Sequence, residues 1–190
     1  MDLQLKGKRA LVSGGSRGIG KAIARVLAEE GVDVALLARD AAQLSATAAE
    51  LATATGRRVV GVAGDTTDDE LTRRAVAQAV QQLGGPMHIL VNAAAEPGGF
   101  AAPPTLEQIG AEQFHREMDT KVMGYIRCAR EVVPGMRAAG WGRIVNISGL
   151  AARQSGSTVG SMRNVAVAAL TKNLADELGP AGIQVSVVHP

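Results

Sequence analysis

Arg9-Ala10-Leu11-Val12-Ser13-Gly14-Gly15-Ser16-Arg17-Gly18-Ile19-Gly20 is the stretch that decides the fold. Arg9 to Val12 reads as a short buried strand. A glycine-spaced turn follows it. From Ile19 to Glu30 the apolar residues recur with helical spacing, and Gly31 supplies a left-handed stop. Lying between a strand and a helix gives the glycine spacing its meaning. Gly14 permits the tight turn, Gly18 lets backbone approach a diphosphate, and Gly20 lets the helix pack on the strand. The helix start then presents unpaired N–H groups and a partial positive charge to an anion. Gly14, Ser16, Arg17, Gly18, Ile19 and Gly20 are therefore expected at a nucleotide cofactor. The competing reading is a glycine-rich turn with no ligand.

Outward from that turn, short β-type runs alternate with helical patterns. Val32 to Leu37, Arg58 to Val62, His88 to Val91, Arg143 to Ile147 and Ile183 to Val188 read as further strands. They are mostly Val, Ile and Leu without polar alternation, which suits a parallel sheet covered on both faces. Helices are expected over Ala41 to Thr55, Asp68 to Leu83 with Thr66 or Thr67 as cap, Glu107 to Ala138 with a bend at Pro134, and Val159 to Leu178. Right-handed βαβ alternation implies an α/β doubly wound parallel sheet, a Rossmann fold ordered 3-2-1-4-5-6. One domain over residues 1–190 is expected. Glu96 to Pro104 reads as a loop at the carboxyl edge, where ligands bind in such sheets.

The second strand ends Leu37-Ala38-Arg39. An acid at that place would bind a ribose 2′-hydroxyl. Here Ala38 stands there, and Arg17 and Arg39 flank the position. Two guanidiniums would hold a 2′-phosphate by charge-assisted hydrogen bonds, so NADP(H) is expected as the cofactor. Asp40, one residue on, argues the other way, and two solvated surface arginines are the plainer alternative.

Composition narrows the function further. A net charge of +2 with interspersed signs gives no electrostatic support for a nucleic-acid or membrane partner. Aromatic residues make up only 2%, too few for base-stacking platforms. Cys128 is the sole cysteine, so no internal disulfide forms, and it reads as a small buried apolar residue. Three scattered histidines with one cysteine give no metal site. No secretory leader and no membrane-length apolar run is visible, so a cytoplasmic location is the default.

With these residues in view the chain resembles the short-chain dehydrogenase/reductase family from about Lys6 to Pro190. Ser13-Gly14-x-x-x-Gly18-x-Gly20 is similar to its Thr-Gly-x-x-x-Gly-x-Gly turn. Gly64-Asp65 matches the aspartate that contacts adenine. Leu90-Val91-Asn92-Ala93-Ala94-Ala95 resembles the Asn-Asn-Ala-Gly motif, keeping its first Asn and its Ala. Gly142-Arg143-Ile144-Val145-Asn146-Ile147-Ser148 matches the strand leading to the catalytic serine, and Val187-Val188-His189-Pro190 the approach to a Pro-Gly motif. The resemblance thus adds Asp65, Asn92 and Ala94 to the cofactor residues and implies a small-molecule carbonyl/alcohol or enoyl substrate. It also implies a homodimer through the two long helices. The match stops at Pro190, before the family's substrate lid and seventh strand, so a bare edge on the sixth strand is expected.

The family pattern departs where its chemistry lies. The resemblance puts Gly160 at the family's tyrosine position and Asn164 at its lysine position, and the only tyrosine is Tyr125, on the preceding helix. Ser148 is present, but one residue of loop length decides whether it or Gly149 takes the serine's place. Aligning Met118 to Gly124 puts Lys121 where the family often carries an asparagine, so amide and ammonium are exchanged between the two helices. Lys121 and Asn164, with Arg163 beside them, are then expected to restore positive charge near the nicotinamide ribose. The alternative is a Lys121 that snorkels to solvent. Ser148, Lys121, His115 or a water are the candidate proton donors in place of the phenol. Three readings follow: an NADP(H)-dependent oxidoreductase with an atypical active site, a non-catalytic NADP(H)-binding sensor or inactive partner subunit, or a truncated remnant.

Overall fold

A computed structural model describes residues 3–95 and 102–190. The six β-type runs form β1 (Arg9–Ser13), β2 (Asp33–Ala38), β3 (Val59–Ala63), β4 (Ile89–Asn92), β5 (Gly142–Ile147) and β6 (Ile183–Val188). They make one sheet in the order β3-β2-β1-β4-β5-β6, with every neighbouring pair parallel. The expected Rossmann order is therefore the observed one. Among the described residues β3 and β6 form its edges.

Helices cover both faces because successive strand residues point to opposite sides. Ala10 and Val12 of β1 pack with Val34, Leu36 and Ile89 against α1 (Gly18–Glu29) and α2 (Ala41–Thr55). Leu11 points the other way, with Leu37, Leu90 and Ile144, toward α3 (Asp69–Leu83) and α5 (Gly124–Ala139). Cys128 is fully buried in that second layer, and burial pushes its thiol up to about 12, so it is an inert core residue as expected.

Helix boundaries follow local chemistry. The left-handed Gly56 ends α2 at φ 66°. The cap of α3 is Asp68, whose carboxylate accepts from the Leu71 N–H, not Thr66 or Thr67. Thr67 is instead engaged with Asp65. The last long helix, α6 (Thr158–Leu178), starts at Ser157, whose hydroxyl accepts from the Gly160 N–H.

The single long helix expected from Glu107 to Ala138 is not found. A short 3₁₀ turn spans Leu106–Gln108, α4 spans Ala111–Met118, and a widened π-type segment, Asp119–Met123, joins α4 to α5. Pro134 lies inside α5, which continues through it. The break falls at Asp119–Met123, where hydrogen-bond register, which residue spacing does not reveal, is changed by packing on α6 and β5. The expected loop Glu96 to Pro104 falls largely on residues 96–101, outside the described residues. No helix among the described residues is long and apolar enough to cross a membrane.

Candidate active site

The turn after β1 is shaped by three close approaches. Gly14 has φ 69°, and a Cβ there would sit 2.8 Å from the Ala93 carbonyl oxygen and 2.9 Å from the Ala94 nitrogen. A Cβ on Gly20 would sit 2.2 Å from the Gly14 oxygen. By contrast, Gly18 has φ 56° and nothing within 4 Å, so the outer side of the turn is open. Arg17 precedes α1 with extended backbone and no side-chain cap, and no acid lies in the first turn. The N–H groups of that turn are left for an anion. Ser16 is buried and its carbonyl accepts from Thr47 of α2 at 3.0 Å, which pins the turn from behind. Ile19 is half exposed at the helix start. Open space and a positive helix end fit a dinucleotide, and Arg17 and Arg39 are exposed.

Asp40, the residue that argued against a 2′-phosphate, caps α2: its carboxylate accepts from the Gln43 N–H at 3.0 Å. Asp65 follows β3, and its Oδ1 accepts from both the backbone N–H and the hydroxyl of Thr67, an Asx-type turn that orients the carboxylate. Ala94 lies beside Gly14, its N–H 3.4 Å from the Ser13 hydroxyl.

Asn92 ends β4 with its side chain inside the sheet. It is 1% exposed and donates through Nδ2 to Asn146 Oδ1 at 2.9 Å. Asn146 passes the chain on to Thr171 of α6 at 3.0 Å. The Nδ2 side of the amide ties β4 and β5 to α6 inside the sheet, while Asn92 Oδ1 is buried without a hydrogen-bond partner among the described residues.

Farther along the same carboxyl edge, β5 ends at a second cluster. Lys121 sits in the widened segment and is 4% exposed. It does not snorkel. Its Nζ donates to the Ser148 carbonyl at 2.7 Å and to Asn164 Oδ1 at 2.8 Å. Burial, aided by the nearby Arg163 charge, lowers the Lys121 ammonium to about 8. The Ser148 hydroxyl donates to the Asn164 backbone carbonyl at 3.0 Å and is itself buried, so it is engaged by α6 and turned from the cleft. Arg163 pairs with Glu117 of α4 at 2.9 Å, with both side chains largely buried. Glu117 gave no sequence signal, since a helical carboxylate is ordinarily solvated.

His115 and Tyr125 lie away from this cluster's polar contacts. His115 lies exposed on α4 against the edge of Phe114, outside this cluster. Tyr125 is 1% exposed and donates to the Ile147 carbonyl at 2.9 Å, and burial holds its phenol far above the usual range, so it is a core pin. The His189 ring nitrogen Nδ1 lies 3.2 Å from the Gly149 carbonyl oxygen. No sequence pattern foretold that contact, because it joins the ends of β5 and β6.

The buried ammonium makes stability depend on pH. Its folded value near 8 lies below the ordinary 10.5, so the unfolded chain holds the proton between those values while the folded chain has released it. Stability from this group therefore rises as pH climbs from about 8 to 10.5 and is lowest below 8. In Lys121→Met the rise should vanish, read as the difference in urea midpoint between variant and wild type from pH 7.5 to about 10.5.

A parallel sheet in this order with a glycine-spaced turn after its first strand defines a Rossmann-type nucleotide-binding fold. The family described as short chain dehydrogenase matches residues 8–190. The chain is 39% identical over 195 residues to a 3-alpha-(or 20-beta)-hydroxysteroid dehydrogenase of Mycobacterium tuberculosis, covering 100% of this chain and 70% of that one. It is 37% identical over 182 residues to the short-chain reductase protein NovJ of Streptomyces niveus, covering 95% and 67%. The structure of L-sorbose reductase from Gluconobacter frateurii, complexed with NADPH and L-sorbose, superposes with a TM-score of 0.90 at 32% identity, over 100% of this chain and 71% of that one. This chain belongs to the short-chain dehydrogenase/reductase family, a family of NAD(P)-dependent oxidoreductases.

Proposed function

We propose that this chain is an NADP(H)-dependent oxidoreductase for a small carbonyl/alcohol substrate, with an active site that lacks the family's tyrosine and lysine at Gly160 and Asn164. The observation that carries the cofactor choice is the end of β2. No carboxylate faces the ribose position there, Asp40 is turned into the α2 cap, and Arg17 and Arg39 are both exposed beside the open turn. The substrate class rests on similarity to a sorbose reductase and a hydroxysteroid dehydrogenase, proteins named for alcohols and ketones. Residues 1–190 act in this reading as one dinucleotide-binding domain. Met162 and Val165, half exposed one turn apart on α6, support pairing of two copies through the long helices.

The test is a fluorescence titration. NADPH should bind at least about tenfold tighter than NADH, since each charge-assisted pair contributes roughly 1.5–3 kcal/mol. Replacing both Arg17 and Arg39 with Ala should weaken NADPH by about 10²-fold and leave NADH within threefold. Equal binding of the two dinucleotides by wild type would end the NADP(H) assignment. A second reading, a non-catalytic NADP(H)-binding sensor or partner subunit, is favoured by the engagement of the only phenol, Tyr125, with the Ile147 carbonyl. NADPH-dependent turnover on a panel of aldehydes and ketones would exclude it.

A further inference from the structure

Lysine's ammonium only donates, so the Asn164 atom 2.8 Å from Lys121 Nζ must be the amide oxygen. That fixes the amide's orientation and turns Nδ2 the other way. It faces Gly149: a Cβ there would lie 3.0 Å from Asn164 Nδ2, nearer than the 3.6 Å to Cγ or 3.7 Å to Oδ1. Among the described residues no acceptor takes a hydrogen bond from Nδ2. Gly160 lies one turn before Asn164 on the same face of α6, and a Cβ there would meet only Ser157. Gly149 and Gly160 carry no side chain between the amide and the sheet edge, and a Cβ on Gly149 would crowd Asn164 Nδ2 at 3.0 Å.

The charge behind that donor is uncompensated. Both acceptors of Lys121 are neutral oxygens, while Arg163 is neutralised by Glu117. A buried cation without a counter-charge costs several kcal/mol. Such groups concentrate where negative charge arrives or develops. Gly149 follows β5 at the same sheet edge as the cofactor turn after β1, two strands away and so about 10 Å.

We propose that the Asn164 carboxamide, oriented and polarised by Lys121, is the donor that receives the substrate's carbonyl oxygen and stabilises it as the alkoxide. The inference rests on the reductase reading above. In the reduction, hydride leaves reduced nicotinamide for the carbonyl carbon, and the C=O π pair moves onto oxygen. The cofactor is oxidised and the carbonyl is reduced. Nδ2–H holds the negative oxygen, which then takes a proton from solvent to give the alcohol. Lys121 touches no substrate in this scheme. It is a positioning residue that holds the amide the right way round and places a positive charge behind it.

The test compares Asn164→Asp, Asn164→Leu and Lys121→Gln. Aspartate keeps the shape and accepts from Lys121 more strongly, so a purely structural role predicts a folded, active variant. As the oxyanion donor is lost and a negative charge faces the oxygen, kcat for NADPH-dependent ketone reduction should instead fall by about 10²–10³ in both Asn164 variants. Asn164→Asp should keep its thermal midpoint and its NADPH Kd within threefold. Its NADP+ should bind tighter relative to NADPH than in wild type, because a carboxylate now faces the cationic ring. Lys121→Gln, which can still donate to Oδ1, should lose about tenfold in kcat. Full activity and an unchanged NADP+ to NADPH affinity ratio in Asn164→Asp would overturn the proposal alone. A wild type that binds NADPH but turns over no carbonyl would overturn the reductase reading and this inference with it.

Discussion

Gly20→Ala is expected to abolish cofactor binding, although it adds a single carbon. The new Cβ would lie 2.2 Å from the Gly14 carbonyl oxygen and 2.8 Å from its carbonyl carbon. Both are backbone atoms, and neither has room to retreat. Gly14 N–H is tied to the Leu37 carbonyl at 2.8 Å, and the Cβ direction of Gly14 is already blocked by Ala93. The turn must therefore rebuild or α1 must lift off β1, and either displaces the N–H groups meant for phosphate. Overpacking of this kind costs about 3 kcal/mol. NADPH affinity should fall by at least about 100-fold, because it depends on several aligned donors at once. A fluorescence titration and a urea melt measure the two losses. Gly18→Ala is the control for stability alone. It has open space around it, so its left-handed backbone leaves a cost of only about 1–2 kcal/mol. A Gly20→Ala protein that bound NADPH within threefold of wild type would show that the turn tolerates the carbon and that the diphosphate sits elsewhere.

Arg127→Leu is expected to cost about 3 kcal/mol, far more than a surface ion pair. Arg127 is 9% exposed on α5 and gathers three segments. Its guanidinium donates to the Thr66 carbonyl at 3.0 Å, to Asp119 at 2.8 Å and to Asp69 at 3.3 Å. Asp69 also contacts Arg130 on the outside. Leucine would fill part of the volume but strand the Thr66 carbonyl. It would also free Asp119, two residues before Lys121, so the widened segment should loosen and kcat fall with stability. Hydrogen bonding from Arg127 holds the Asp69 carboxyl below its usual range. The stability this gives is present above the ordinary carboxylate pKa and lost as pH falls through the depressed one. The acid limb of the urea-midpoint profile should therefore be shallower in Arg127→Leu than in wild type. A melt within about 0.5 kcal/mol of wild type would mean that solvent satisfies Thr66 and both carboxylates without the arginine.

Most of the fold was legible because its signals are local. Apolar runs of the right length, punctuated by Gly31, Gly56 and Gly84, placed strands and helix ends to within a residue or two. The cradle was legible for the same reason: turn, close approach and helix start occupy eight consecutive residues, Ser13 to Gly20. At Asn92 the sequence says less, because an asparagine at a strand's carboxyl edge carries no mark of which way its amide turns. Only Asn146, fifty-four positions on, settles it. The widened Asp119–Met123 segment was invisible because π and α turns share composition and differ in hydrogen-bond register.

Taken alone, the amino-acid order determined the family, the parallel sheet and the glycine-spaced turn after β1, since each depends on neighbours in the chain. It also raised the expectation that Lys121 and Asn164 stand in exchanged positions. Whether those two residues meet was decided only by the tertiary structure. They are forty-three positions apart on different helices, and their 2.8 Å contact exists because α6 and the widened segment both pack at the end of β5. Burial did the rest: out of water, a lysine must give its hydrogens to the nearest oxygens, and that orients the amide beside it.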